Sequence, residues 1–357
     1  MSDHTSKNVK PPSLAIGPAN YAGQATAWAA AVRKHLEVAA WSFAEAPVGS
    51  GSFRFDVDKP IHRALFRNPV ARGMRSRKLF AGLTHVALDG FEPYFHLKRR
   101  RKFAGDLAWL NAAGYKTALI AHGSDVRDPH RHIEINGKWS MYLAGDAEWR
   151  ADLARAARLH RAVAESSGRP VFYSTPDLRL DLEGGTWLPV CLDVNTWGTD
   201  APLLERAQPR VLHIPSRRNP PIKGTQFVDP VLRKLDDAGK IEYVCPESVP
   251  HSEMRSLVHD VDIVVDQLLA GSYGVAAIEA MSAGRVTVGR LAPPVLDLMP
   301  EAPPIVQATP DELEETIVAI VEDRDHYRRL GREGINFAHI WHSGKASATA
   351  LRGYLER

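Results

Sequence analysis

The chain has 357 residues, 44% of them hydrophobic and 24% charged, with a formal net charge of +3. That length accommodates two domains of ordinary size, and the balance of residue types excludes a disordered or fibrous chain. Near-neutral charge argues against a general nucleic-acid binder, and no nucleic-acid partner is expected.

The first ten residues are polar and lack the apolar core of a signal peptide, and no later apolar run reaches the length of a membrane span. A cytoplasmic location is expected. The two cysteines, Cys191 and Cys245, lie in apolar, strand-like settings without metal-ligand spacing, so both are expected as buried reduced thiols.

Ser13–Ile16 is an apolar run that stops at Gly17-Pro18-Ala19-Asn20-Tyr21-Ala22-Gly23-Gln24; a helix over Ala25–Lys34 follows, and Leu36–Phe43 reads as the next strand. Strand, glycine-bearing loop and helix make the first unit of a Rossmann-like sheet. The loop lacks a full G-x-G-x-x-G and no acidic residue ends the second strand, which argues against a dinucleotide site. Gly23 marks either a close approach of backbone to a ligand or a glycine that only satisfies the turn. Basic clusters come next, first Arg63, Arg67, Arg72, Arg75, Arg77 and Lys78, then Lys98, Arg99, Arg100, Arg101 and Lys102. With Leu65, Phe66, Met74, Leu79 and Phe80 interleaved, the first cluster suits an anionic membrane or acidic acceptor, and equally a solvated helix face.

Thr84–Leu88 reads as a buried strand, Leu107–Ala112 as a helix capped by Gly114, and Lys116–Ala121 as a strand. Its carboxyl end carries His122-Gly123-Ser124-Asp125-Val126-Arg127, where ligands of open α/β sheets bind. His122 is the leading candidate of this half; the alternative is a histidine that pairs with Asp125 to cap the loop. Glu148–Ser167 is an amphipathic helix, and Pro170–Ser174 and Trp187–Val190 are strands. The polar stretch Asn195–Gln208 breaks the pattern, and the domain junction is placed there.

The second half restarts with the strand Val211–Ile214 and a proline-stiffened loop that presents Arg217 and Lys223. Two fixed cations facing a helix N-terminus suit a diphosphate, an Arg-rich surface loop being the alternative. A helix over Gln226–Ala238, the strand Ile241–Cys245, a helix over His251–His259 and the strand Val261–Val265 lead to Asp266–Gly289. That stretch reads as a strand end, a small-residue loop, a helix opening at Val275, a stop at Gly284 and a strand over Val286–Val288. Such a loop leaves the first N–H groups of the helix unpaired, which favours an anion there. Glu279, one turn inside, can hydrogen-bond whatever is held; an ordinary αβ turn is the alternative. Helices over Pro310–Glu322 and Arg324–Glu333 and a helical segment over Ile335–Leu355 complete the chain.

Taken in order, Gly17-Pro18 through Gly23-Gln24, His122-Gly123-Ser124-Asp125-Val126-Arg127, Pro215-Ser216-Arg217 with Lys223-Gly224, and Gly271-Ser272-Tyr273-Gly274 through Glu279-Ala280-Met281 span nearly the whole chain. Together they resemble the retaining glycosyltransferases of family 4, which have the GT-B fold. The resemblance implies an α/β chain of two Rossmann-like domains facing across a cleft. Residues 1–200 would bind the acceptor, residues 201–334 the nucleotide sugar, and a helix in 335–357 would pack back toward the first domain. Arg217 and Lys223 would hold the diphosphate and stabilise its charge as the glycosidic bond breaks. Glu279 would accept from the ribose, and the N–H groups of Gly274 and Val275 would meet phosphate or sugar, within a donor loop that includes Gly271, Ser272 and Tyr273. His122, with Asp125, would lie beside the transferred sugar, and Gly23 with Gln24 would bring the first loop to the phosphates.

The implied activity moves a hexose-type sugar from a nucleoside-diphosphate sugar to an acceptor with retention, without a named nucleophile, a metal or a cofactor. A sugar-nucleotide epimerase of the same fold and a non-catalytic nucleotide-sugar binder are the alternatives. An anionic or lipid-linked acceptor and peripheral contact with the inner face of the membrane are hypotheses resting on the basic clusters. Asp56-Val57-Asp58 and Asp260-Val261-Asp262 are D-x-D by chance alone. One departure stands out: the family's pattern of Glu, seven residues, Glu has Gly271 in the first position.

Overall fold

The computed structural model describes residues 10–45, 55–61, 74, 77–91, 93, 103–215, 219–246 and 249–357. Arg217, the second basic cluster (98–102) and Arg63, Arg67, Arg72 and Arg75 of the first lie outside them; Arg77 and Lys78 are described and exposed.

Two sheets organise the chain, and every strand pairing in both is parallel. The first holds β1 (Ser13–Gly17), β2 (Ala39–Glu45), β3 (Lys59–Ile61), β4 (His85–Asp89), β5 (Lys116–Ala121), β6 (Val171–Tyr173) and β7 (Thr186–Trp187). Their spatial order is β3-β2-β1-β4-β5-β6-β7. The second holds β8 (Arg210–His213), β9 (Glu242–Val244), β10 (Ile263–Val265), β11 (Val286–Gly289) and β12 (Val306–Gln307), ordered β12-β11-β10-β8-β9. Strands covered by helices on both faces read as unbroken apolar runs, and β4 and β10 are buried at every position. In each sheet the strand order reverses once, between β1 and β4 and between β8 and β10. Crevices at such reversals, beyond the carboxyl ends of the strands, are where open α/β sheets bind ligands.

Several expected elements differ in extent. The run Leu36–Phe43 divides, because the first helix continues over Gln24–Leu36 and ends at Glu37 in a left-handed conformation (φ 55°) before β2 begins. The final helical segment breaks at Ser343-Gly344 into helices over Arg324–His342 and Lys345–Leu355. The longer of these lies against the helix Val275–Ser282 closely enough that a Cβ at Gly331 would stand 2.6 Å from Gly284 O. The second returns to the first sheet: Ala348, Leu351, Tyr354 and Leu355 join the core around Leu14, Trp28 and Ile120. There the Tyr354 hydroxyl lies 2.8 Å from Lys116 O and 3.1 Å from Val86 O. Cys191 is buried, its thiol pushed up to about 12 by that burial, whereas Cys245 is only half-buried. No helix among the described residues is long and apolar enough to cross a membrane.

Candidate functional site

At the reversal in the second sheet, Asp266 follows β10 with 3% exposure and accepts from Lys223 Nζ at 2.8 Å. Its other oxygen faces the Gly274 N–H at 3.4 Å. Gly274 is extended (φ −123°, ψ −168°) and precedes the helix Val275–Ser282; as the N-cap residue it has no side chain to cap that helix. The carboxylate therefore already stands where that terminus favours an anion. Gln267 Nε2 donates to Ser272 O (2.7 Å) and fixes the turn, and the Leu268 N–H donates to Lys223 O (3.1 Å) and ties it to the lysine. Below Lys223, His213 bridges Val265 O and Thr225 Oγ1, both at 2.9 Å, and burial pulls its pKa down to about 4, so it is neutral.

Glu279 lies one turn inside the helix and is 6% exposed. Burial pushes its carboxyl up to about 8; the Lys223 ammonium pulls the other way, and Asp266 adds to the rise. At neutral pH it is chiefly a protonated acid, able to accept through one oxygen and donate through the other. Lys223 has three N–H donors and directs one at Asp266, which leaves two for further oxygens.

In the first sheet the corresponding reversal is held by Asp89, the last residue of β4 and fully buried. Its carboxylate accepts from the backbone N–H groups of Ala19 (2.7 Å) and Asn20 (2.8 Å), fixing the loop after β1. That loop stores left-handed conformations at Asn20 and Ala22 (both φ 49°) as well as Gly23 (φ 73°), the kind of local strain that clusters at functional sites. A Cβ at Gly23 would also meet the Phe55 ring at 3.0 Å. His122 lies against this loop, its ring stacked on Trp28 (5.5 Å between centroids) and edge-on to Tyr21 (5.1 Å), with Nε2 3.4 Å from Asp89 Oδ2. Asp125 accepts from the backbone N–H groups of His122 (2.9 Å) and Gly123 (2.7 Å), so its carboxylate holds the turn.

The structure thus gathers Lys223, Gly274, Val275 and Glu279 on one side, and Gly23, His122 and Asp125 on the other. Two expected ligand contacts have their side chains engaged elsewhere, and a third, Ser272, is buried. Gln24 accepts from Cys191 N (2.7 Å) and donates to Cys191 O (3.1 Å). Tyr273 is buried with its hydroxyl 3.1 Å from His342 Nε2, while His342 Nδ1 contacts Val190 O (2.8 Å). Ser272 is 2% exposed and turns toward Asp177, which lies in an ion pair with Arg127 (2.6 Å). What Gln24 and Tyr273 can still present to a ligand is backbone.

The sequence reading did not find the helix Pro129–Asn136, although Asp128 caps it from its side chain (2.9 Å to His130 N) and proline opens it. This helix carries the seam between the halves. His132 Nε2 meets Ala270 O (2.9 Å) and its Nδ1 meets Ser140 Oγ (2.7 Å); burial pulls its pKa down to about 4. Met141 and Tyr142 pack on Leu269 and Ala270. At Gly271 (φ 64°) a Cβ would come close to Asn136 Oδ1, and Asn136 in turn accepts from Arg290 Nη1 at 2.8 Å.

Two parallel, Rossmann-like sheets with facing strand-end crevices, and a final helix crossing back to the first sheet, define the GT-B fold. Solved structures share it over their whole length. Sucrose-phosphate synthase from Thermosynechococcus elongatus is 13% identical with a TM-score of 0.61, over 97% of this chain and 98% of that one. HepE from Anabaena, in complex with UDP, is 12% identical with a TM-score of 0.58, over 97% and 99%. The catalytic domain of starch synthase IV from Arabidopsis thaliana, bound to ADP and acarbose, is 11% identical with a TM-score of 0.56, over 97% and 99%. At such identities the likeness is one of fold. Neither a protein-family model nor a curated protein matches the chain.

Proposed function

We propose that the chain is a glycosyltransferase of the family 4 kind, moving a hexose-type sugar from a nucleoside-diphosphate sugar to an acceptor with retention at the anomeric carbon. The observation that carries this reading is the group at the second reversal: Lys223 fixed by Asp266, the helix start at Gly274 beside that carboxylate, and Glu279 behind it. HepE with UDP and starch synthase IV with ADP, which share the fold, are nucleotide complexes and fit the same reading. In the reaction the bond from the anomeric carbon to the diphosphate oxygen breaks, the carbon gaining positive and the diphosphate negative charge. The two free donors of Lys223 and the N–H groups of Gly274 and Val275 stabilise that diphosphate; Arg217, outside the described residues, is a further candidate cation for it. Asp266 fixes where the ammonium sits, and Glu279 meets the ribose hydroxyls. His122, on the facing crevice, borders the sugar. Residues 1–200 take the acceptor and 201–334 the donor.

The filled space at Gly271 favours a second reading, a nucleotide-sugar binder without turnover. One assay separates the two and also tests an epimerase: purified protein with a panel of UDP-, GDP-, ADP- and dTDP-sugars, with and without acceptors. The transferase reading expects acceptor-dependent transfer by the wild type, lost in Glu279→Ala and Lys223→Ala with the fold retained by circular dichroism. Transfer at wild-type rates in both variants overturns it. Conversion of a donor with no acceptor present would make the chain an epimerase, and tight binding without any product would make it a binder.

A further inference from the structure

The seam beside Gly271 holds a cation with no carboxylate next to it. Arg290 follows β11 at that strand's carboxyl end, its N–H donating to Gln267 O (3.2 Å). The guanidinium turns toward the first half of the chain and donates to Asn136 Oδ1 (2.8 Å). Among the described residues no Asp or Glu forms an ion pair with it, and burial alone shifts its pKa, downward. A half-buried arginine facing only a neutral amide is an unusual arrangement, since desolvated charge is normally matched by opposite charge.

Arg131 lines a small pocket with Arg127, Asn136, Asp177, Asp181 and Gly271. Two carboxylates are present there, and each already faces a cation: Asp177 pairs with Arg127 at 2.6 Å and Asp181 lies 3.6 Å from Arg161. Arg131 is exposed to solvent, and the half-buried Arg290, outside that pocket, remains without an acidic partner among the described residues. Asn136 is itself fixed, with Nδ2 donating to His132 O (2.9 Å), and Gly271 leaves no room for any side chain between them. At Gly271, where the resembled pattern has its first Glu, this chain sets an amide and a guanidinium nearby. An acid accepts from neutral hydroxyls; a guanidinium binds a carboxylate through two parallel hydrogen bonds.

The geometry points to an anion subsite built on Arg290, with Asn136 beside it, and to a donor whose sugar carries a carboxylate, a nucleoside-diphosphate hexuronic acid. This rests on the transferase reading above and names its substrate class. The test is calorimetric titration of the full chain with UDP-glucuronate against UDP-glucose and GDP-mannuronate against GDP-mannose, repeated with Arg290→Gln and with Arg290→Lys. Each uronate is expected to bind about tenfold to a hundredfold more tightly than its neutral partner. Arg290→Gln collapses that ratio toward one, and Arg290→Lys, which keeps the charge should glutamine disturb the Asn136 contact, retains part of it. A ratio near one in the wild type, or a ratio unchanged in both variants, overturns the subsite while leaving the transferase reading standing. Failure of all four donors and of UDP and GDP to bind overturns both. Free glucuronate added with UDP is the last arm: Arg290-dependent binding of the free acid, with no preference among donors, would assign the anion to the acceptor and overturn the uronate donor.

Discussion

Each half of the molecule buries an aspartate where the strand order of its sheet reverses, and the two are bound very differently. Asp89 accepts two backbone N–H groups at 2.7 and 2.8 Å and so locks the strained loop after β1. Asp266 accepts one ammonium at 2.8 Å and one N–H at the long distance of 3.4 Å. Two partners of Asp89 are backbone donors fixed in place, and the His122 ring stands beside them, 3.4 Å from the carboxylate. Those of Asp266 are a lysine with further donors and a helix start, both of which suit phosphate oxygens. The same residue type thus holds a loop together in one crevice and sets a cation in position in the other.

Substituting the two in turn puts this contrast at risk. Asp89→Ala leaves the buried Asn20 N–H and the half-buried Ala19 N–H without acceptors and removes charge-assisted bonds, and should cost about 3–5 kcal/mol in urea unfolding. Asp266→Ala should cost about 1–2 kcal/mol, because Lys223 can turn toward water, while weakening nucleotide binding measured by titration with UDP, GDP and ADP. Equal stability losses, or unchanged nucleotide affinity in Asp266→Ala, would dissolve the distinction.

The seam offers the next largest effect. Gly271→Ala forces an alanine into the left-handed region and pushes its Cβ onto Asn136, with an expected loss of about 2–3 kcal/mol. Asn136→Gly added to it should recover the part due to the clash and leave the backbone part, giving a coupling of about 1 kcal/mol in a double-mutant cycle. Strict additivity would show that the two halves do not meet at this point in solution.

Much of the framework was legible from the chain. Lys116–Ala121 shows as a strand because an apolar run ends at His122-Gly123, and the stop at Gly284 follows from a glycine at φ 68°. The crevices followed from glycine loops placed after such runs. What escaped is what local pattern does not encode. Asn136 meets Arg290 across 154 positions, and neither residue carries a neighbourhood signal of the other. Tyr273 sits in a loop that reads as ligand-facing, yet its ring lies against Phe337 and His342, a direction that only the packed helix Arg324–His342 imposes. Gln24 opens a helix beside a glycine turn, and its amide is captured by Cys191, 167 positions away. The helix Pro129–Asn136 is the exception, since Asp128 and Pro129 do signal its start.

The smallest effect sharpens the second crevice. Glu279 has a folded-state pKa of about 8 against an ordinary value of 4.5. Between those limits the folded chain holds a proton that the unfolded chain has released, so raising the pH through that window removes stability. The contribution is fully present below pH 4.5 and lost by the time the pH passes 8, and amounts to about 1–3 kcal/mol after allowance for relaxation of the site. Glu279→Gln removes this titration, so its unfolding free energy should decline less steeply between pH 5 and pH 8 than that of the wild type. The difference between the two curves should shrink when a nucleotide diphosphate is present only if the ligand engages the carboxyl. Parallel curves without ligand would show that Glu279 is ionised in the folded chain, and Lys223 would then face two carboxylates rather than Asp266 alone.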